Sequence, residues 1–248
     1  MARTAAIVVI GNEILSGKTK DENSGFLAQE LRSLGVDVRK ILVIPDQLDI
    51  IAGEVRSASE AHDYVFTSGG VGPTHDDLTM HGIALAFHQK VRRNHDLEHA
   101  LRAYYPPQLV EPNLLMADVP ENARLLSRPG MWFPVVVVQN VYIFPGVPEI
   151  LQRKFANIRE IFREDPYHLV EVFLRADEGQ IALILHRVLE EYPELQLGSY
   201  PYFTKPEYSI KLTLESKDSM YLKAAHDFLL EELSRIGLYP IQLTQPVQ

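Results

Sequence analysis

The run Thr67-Ser68-Gly69-Gly70-Val71-Gly72-Pro73-Thr74-His75-Asp76-Asp77-Leu78-Thr79 holds the residues best suited to chemistry. Gly69, Gly70 and Gly72 leave the backbone free to take positive φ and to approach a ligand closely. Successive N–H groups in such a turn, next to a helix N-terminus, form a concavity that suits phosphate oxygens. Asp76 and Asp77 then stand where the helix should start. Two carboxylates repel a bare phosphate, so the combination makes chemical sense with a divalent cation between them. The competing reading is plainer: one aspartate is an N-cap and the glycines are only a tight turn.

Elements on either side must position this loop. Tyr64-Val65-Phe66 reads as a strand entering it, and Leu78, Ile83, Ala84, Leu85 and Phe87 as an amphipathic helix leaving it. Upstream, Ala5 to Ile10 is a continuous apolar run rich in β-branched residues, as expected of a strand buried on both faces. It ends in Gly11-Asn12-Glu13-Ile14-Leu15-Ser16-Gly17-Lys18-Thr19. That run is not a phosphate-binding P-loop. A P-loop needs four residues between its glycine and the Gly-Lys-Thr, whereas five separate Gly11 from Gly17.

Asp21 is placed to cap a helix through Leu27, Leu31 and Leu34 that stops at Gly35; a strand over 36–44 and a helix over 49–61 follow. Strand and helix alternate, which predicts an α/β domain with a largely parallel sheet. Ligands of such sheets bind beyond the strand C-termini, so Gly11-Asn12-Glu13 and the 69–77 loop should share one rim. A helix through Leu97, Leu101 and Tyr104 should stop at Pro106-Pro107. Val135–Val138 and Val141–Phe144 flank Gln139-Asn140 as a hairpin, and Pro145-Gly146-Val147-Pro148 supplies a third rim loop. Met131-Trp132-Phe133-Pro134 carries the one tryptophan, for which packing is the expected role and stacking on a ligand ring the alternative.

Arg163-Glu164-Asp165-Pro166 is the expected boundary between a domain over 1–164 and a second over 165–248. Beyond it the order becomes strand, helix, strand, strand, helix, a small α+β unit without a dense polar cluster. Ser199-Tyr200-Pro201-Tyr202-Phe203 is read there as a turn with core aromatics, the alternative being a contact with a ligand or another subunit.

The chain has 248 residues, 46% hydrophobic and 23% charged, with a net charge of −9 and no cysteine. A net negative charge argues against a general nucleic-acid binder. No apolar run is long enough for a membrane span, and the short N-terminal apolar run is read as a strand rather than a leader. Without cysteine there are no disulfides or thiolate metal sites, and cytoplasmic residence is the default. The nine histidines are scattered without metal-ligand spacing.

Taken together, 11–17, 69–79 and Phe144-Pro145-Gly146-Val147-Pro148-Glu149 resemble the molybdopterin-binding-like domain of the CinA (competence/damage-inducible protein A) family. The resemblance to the N-terminal domain of eukaryotic FAD synthases is closer. It extends to Leu31-Arg32-Ser33-Leu34-Gly35-Val36, Asn140-Val141-Tyr142, Leu197-Gly198-Ser199-Tyr200-Pro201 and Lys211-Leu212-Thr213-Leu214. It implies a three-layer α/β fold of the molybdenum-cofactor-biosynthesis type with a mostly parallel sheet, plus the small C-terminal α+β domain. It also implies metal-dependent pyrophosphatase activity on FAD or ADP-ribose. Asn12 stands where the family commonly has aspartate, and the Gly-Thr-Ala-Pro-Gly run of CinA proteins is missing around Arg128–Pro134. Neither a nicotinamide-nucleotide deamidase nor an FAD-forming adenylyltransferase activity is expected.

On that resemblance, Gly69, Gly70 and Gly72, with Ser68, Thr74, Asn12 and Gly146, are the expected phosphate- and substrate-binding residues. Asp77 with Asp76 or Glu13 is expected to hold Mg²⁺, Mn²⁺ or Co²⁺, with potassium as an optional further ion, and Glu13 is the candidate base. The expected partners are a dinucleotide and further copies of the chain in a homo-oligomer. The alternative is a molybdopterin- or nucleotide-binding module without turnover.

Overall fold

Alternate residues of the first strand enter two different cores, and this sets the layering of the N-terminal unit. Side chains of a strand point to opposite faces in turn. In β1 (Thr4–Ile10), Ala6, Val8 and Ile10 enter one core and Ala5, Ile7 and Val9 the other. The computed structural model describes residues 2–203 and 207–243, and the chain divides into two compact units, 1–164 and 165–248.

After β1 come α1 (Asn12–Leu15), α2 (Asn23–Ser33), β2 (Asp37–Ile44), α3 (Leu48–Ala61), β3 (Tyr64–Ser68) and α4 (Thr79–Ala86). The unit continues with β4 (Val91–Arg93), α5 (His95–Tyr104), α6 (Pro107–Asn113), β5 (Asp118–Pro120), β6 (Arg124–Leu126), β7 (Val135–Val138), β8 (Val141–Phe144) and α7 (Pro148–Ile158). The main sheet runs β2-β1-β3-β8-β7-β6. Its β2, β1, β3 and β8 are mutually parallel, while β7 and β6 join antiparallel. Helices α3 and α4 cover one face through Ile51, Val55 and Ile83. Helices α2 and α7 cover the other through Leu27, Leu31, Leu151 and Phe155. This is the expected three-layer α/β fold.

The second face is held by aromatics. Phe66 stacks on Tyr142 at 5.4 Å between centroids and meets Phe162 edge-on at 5.0 Å. Such pairs contribute about 0.5–1.5 kcal/mol each beyond their buried area. They pin β3 and β8 side by side, and these are the strands from which two rim loops leave.

Local signals explain most element ends. The Asp21 carboxylate accepts from the N–H groups of Asn23 and Ser24, both at 3.0 Å, and Gly35 closes the next turn at φ 82°. Gln139 takes φ 52° in the β7–β8 hairpin. The helix through Leu97, Leu101 and Tyr104 ends at Tyr104, ahead of Pro106-Pro107 as expected, and Pro107 opens a separate short helix, α6, since proline at a first helical position forfeits only an N–H that has no intrahelical partner. One reading fails. Neither Asp76 nor Asp77 caps α4: the helix starts at Thr79, and its N-cap position is Leu78.

The second unit contains β9 (His168–Leu174), α8 (Glu178–Glu191), β10 (Gln196–Pro201), β11 (Ile210–Ser216), α9 (Ser219–Arg235) and β12 (Gln242–Leu243). Its antiparallel sheet runs β10-β11-β9-β12 over a core that includes Val172, Ile184, Leu212 and Leu229. Asp177 and Gln180 form a capping box at the start of α8. Buried Glu232 pairs with Arg187 at 2.6 Å and also with Arg235. The aromatics of the 199–203 run are not all core: Tyr200 on β10 is 49% exposed and Phe203 95%.

Candidate functional site

Three loops converge at the C-terminal ends of β1, β3 and β8. Gly69, at φ 105°, lies so close to β1 that a Cβ there would stand 2.1 Å from the Ile10 carbonyl oxygen. A Cβ on Gly146 would be 3.4 Å from the Gly69 Cα. The contact therefore depends on glycine at 69, because any side chain there meets backbone.

Polar side chains, two of them buried, hold the convergence in place. Thr79 Oγ1 donates to the Gly69 carbonyl at 2.8 Å, and the Thr79 N–H donates to the Gly70 carbonyl at 3.0 Å. The Asn23 amide on α2 donates to Ser68 Oγ and to the Gly146 carbonyl, both at 2.8 Å. Asp46, just after β2, accepts from the Asn12 N–H at 2.8 Å. Asn23, Asp46 and Thr79 were not singled out as site residues from the sequence. Each is a common polar residue whose partner lies many positions away.

The loops line a cavity of about 440 Å³, within the roughly 300–1,000 Å³ of small-molecule sites. Glu13, Gly69, Gly70, Gly72, Asp77 and Gly146 lie on its wall. The other expected residues sit differently. Ser68 is 1% exposed, and its hydroxyl accepts from Asn23, so it supports the loop instead of facing the cavity. Asn12 offers its N–H to Asp46 and does not line the cavity. Thr74 lines an adjoining cleft of about 200 Å³ together with Asp77. The Gly69 N–H is committed to the Phe144 carbonyl at 3.1 Å and is not free for a phosphate. Among the described residues, the N–H groups of Gly70, Val71 and Gly72 have no internal partner, and all three residues line the cavity. That makes three successive donors beside the ligand space, Val71 included.

The carboxylates crowd one hydroxyl. Thr74 Oγ1 lies 2.7 Å from Asp76 Oδ1 and 2.5 Å from Asp77 Oδ2, and the Thr74 N–H donates to Asp77 Oδ2 at 2.8 Å. A hydroxyl has one proton to donate, so it cannot satisfy both anions. The bond from Thr74 nonetheless holds the exposed Asp76 carboxyl below the usual carboxylate range, with a backbone bond and His75 adding to it. Among the described residues, no three His, Asp or Glu side chains converge as a ready-made metal cage. Two adjacent carboxylates open to solvent fit a hard cation that keeps waters and takes its remaining oxygens from substrate phosphates.

The rest of the wall is aromatic and apolar. Trp132 stacks on Tyr104 at 4.0 Å with an interplanar angle of 16° and lies 5.3 Å from Phe133. Tyr105, Met80 and Met116 complete that side. So Trp132 both packs and faces the cavity. Lys154 of α7 also lines it; its Nζ donates to the Pro134 carbonyl at 2.8 Å and lies 4.8 Å from the Phe133 ring centroid. Burial pushes the Lys154 ammonium down to about 8. From sequence, Lys154 looks like any polar residue on an amphipathic helix.

Residues 6–164 match the family model described as "Probable molybdopterin binding domain", and residues 166–241 match "FAD synthase, middle domain". A protein named "Probable FAD synthase" from Caenorhabditis briggsae is 36% identical over 93% of this chain and 50% of its own length. An Archaeoglobus fulgidus protein is 35% identical over 88% of this chain and 93% of its own length. The solved structure of a protein titled CinA, of unknown function, from Thermoplasma acidophilum superposes with a TM-score of 0.59 at 32% identity, covering 65% of this chain and all of that one. The chain spans about half the length of the curated relatives named for FAD synthesis.

Proposed function

The chain belongs to the molybdopterin-binding-domain family, and on that premise we propose that it is a nucleotide pyrophosphatase that hydrolyses FAD to FMN and AMP, or ADP-ribose to AMP and ribose 5-phosphate. The observation that carries this reading is the row of free N–H groups at Gly70, Val71 and Gly72, set beside Asp77 and Glu13 on the cavity wall. Unpaired successive amides suit phosphate oxygens, and adjacent carboxylates suit a cation that neutralises the same phosphates. The relatives named for FAD synthesis support a flavin dinucleotide as ligand.

In this mechanism the three amides hold the pyrophosphate oxygens in one orientation. Asp77, with Asp76, holds a divalent ion, which when bound supplies charge neutralisation and Lewis acidity at phosphorus. Glu13 accepts a proton from the attacking water. The water oxygen bonds to one phosphorus, the bridging P–O bond breaks, and its electron pair leaves with the other phosphate. FAD plus water then gives FMN, AMP and the released protons.

The test is a steady-state assay of FMN and AMP release from FAD, with Mg²⁺, Mn²⁺ or Co²⁺ and after chelation. Metal-dependent release supports the proposal. Tight nucleotide binding with no release under any of these ions turns the reading to the binding module.

A further inference from the structure

The cavity has a second half that phosphate chemistry does not use. Tyr104, Tyr105, Trp132 and Phe133 form a contiguous aromatic group, with Trp132 4.0 Å from Tyr104, 6.4 Å from Tyr105 and 5.3 Å from Phe133. Three of them, all but Tyr104, line the cavity, and with them Lys154. Among the described residues no carboxylate is within ion-pair distance of it, and burial is what lowers its proton affinity. The ammonium has three donors, and one of them is used, by the Pro134 carbonyl at 2.8 Å. A half-buried cation with donors to spare, in an aromatic wall, costs stability unless something else accepts from it. Clustering of such groups in a cleft marks a ligand site.

We propose that Trp132, Phe133, Tyr105 and Lys154 form the recognition site for a planar heteroaromatic ring carrying a hydrogen-bond acceptor on its edge. The aromatic side chains take the ring by its faces and edges. Lys154 Nζ donates to the acceptor on its rim. The ring is thereby the feature by which the protein selects one dinucleotide over another, and a ligand without a ring on that side gains nothing from half of the cavity. The inference rests on the pyrophosphatase reading only for placing the phosphates at the glycine loop. The same ring chemistry is offered by an isoalloxazine and by an adenine, which the experiment separates.

Trp132 is the one tryptophan of the chain, so its emission reports on this wall alone. The 248-residue chain, in chelator so that no turnover occurs, is titrated with FMN, AMP and ribose 5-phosphate. Trp132 emission, corrected for flavin absorbance, and titration calorimetry are read together. The expected result is that FMN or AMP quenches Trp132 and binds at least about 10-fold more tightly than ribose 5-phosphate, as a charged hydrogen bond and a stack allow. Because FMN bound anywhere in the cavity quenches Trp132 by energy transfer, the wall is assigned to the flavin if Lys154→Met weakens FMN and not AMP, and to the adenine if it weakens AMP and not FMN. Lys154→Met should weaken the ligand so assigned about 10-fold and leave ribose 5-phosphate unchanged. Equal affinity for ring-bearing and ring-free ligands overturns the proposal, as does equal weakening of all three by Lys154→Met, which would make the lysine a phosphate anchor. The wild-type titration alone decides if the variant does not fold. FAD hydrolysis without ring quenching would remove this inference and leave the hydrolase reading standing. Ring quenching without hydrolysis would do the reverse.

Discussion

Asn23 donates from its amide to Ser68 Oγ at 2.8 Å, which ties the first turn of α2 to the last residue of β3 beneath the glycine loop. The same amide holds the Gly146 carbonyl at 2.8 Å, so one side chain spans two of the three rim loops. Asn23→Ala removes both bonds and leaves buried acceptors without partners, at a cost of about 1–3 kcal/mol. Chemical denaturation should show that loss, and the KM for FAD should rise because the loops are no longer held in register. An unchanged midpoint would mean that water replaces the amide.

Asp77→Asn separates charge from shape. The Thr74 N–H and hydroxyl both point at Asp77 Oδ2, and an asparagine oxygen accepts the same bonds, so the loop should persist. What the variant loses is the charge that, on the proposed mechanism, would hold a cation against the phosphates. Like charges about 4 Å apart at an effective dielectric near 20 cost on the order of 4 kcal/mol, equivalent to roughly 1,000-fold in rate. Turnover of FAD should fall by about that factor, while FAD binding in chelator stays the same or tightens. Wild-type-like, metal-dependent rates in the variant would take Asp77 out of the site.

Two glycines with positive φ should respond very differently to alanine. At Gly69 the added Cβ meets the Ile10 carbonyl oxygen at 2.1 Å, whereas at Gly17, φ 71°, it meets nothing within 4 Å. Gly17→Ala should cost only the backbone preference, about 1–2 kcal/mol. Gly69→Ala adds a clash with backbone that no rotamer relieves, and thermal unfolding should show a clearly larger loss. Similar losses at the two positions would contradict the close approach of the loop to β1.

Lys154 gives a pH signature with a defined sign. Its folded-state value of about 8 lies below the ordinary 10.5. Between those values the unfolded chain binds more protons than the folded one, so stability from this group rises with pH. The penalty for burying the ammonium is fully present below about 8 and is relieved as pH approaches 10.5. Lys154→Met lacks that penalty, so its stability relative to wild type should be greatest near pH 7. The difference should shrink by at most about 3 kcal/mol on going to pH 10.5. A constant difference across that range would show that Lys154 is well solvated.

The parts of the fold that could be read in advance are those written in local pattern. The β1 and β3 runs are continuously apolar because both faces of those strands are covered, and Gln139-Asn140 marks a hairpin because its first residue must take positive φ. The three rim loops could be placed together because parallel strands deliver their C-termini to one edge. The sequence offers the Gly69 N–H as a phosphate donor and hides that it is already bonded, because its acceptor, Phe144, is on a strand far along the chain. Asn23, Asp46 and Lys154 stayed hidden for the same reason. Nothing in the composition around them differs from an ordinary helix or loop, and their significance arises when α2, the β2 end and α7 are folded against the loops. Ser68 looked like a ligand-facing hydroxyl because its neighbours are glycines, yet it is the last buried residue of β3.

The position of β8 beside β3 has a consequence for how the protein comes into being. Their pairing, Val65 with Val141 through Ser68 with Phe144, joins segments separated by the whole stretch that carries α4 to α6 and β4 to β7. Closing a loop of about seventy residues costs more chain entropy than the shorter closure that pairs β1 with β2. The Phe144 carbonyl that accepts the Gly69 N–H, with Gly146 and Lys154, reaches the glycine turn only when this strand docks. During synthesis the glycine loop emerges before Phe144, Gly146 and Lys154, and a nascent chain stalled short of Phe144 has the loop without the strand that completes its hydrogen bonds.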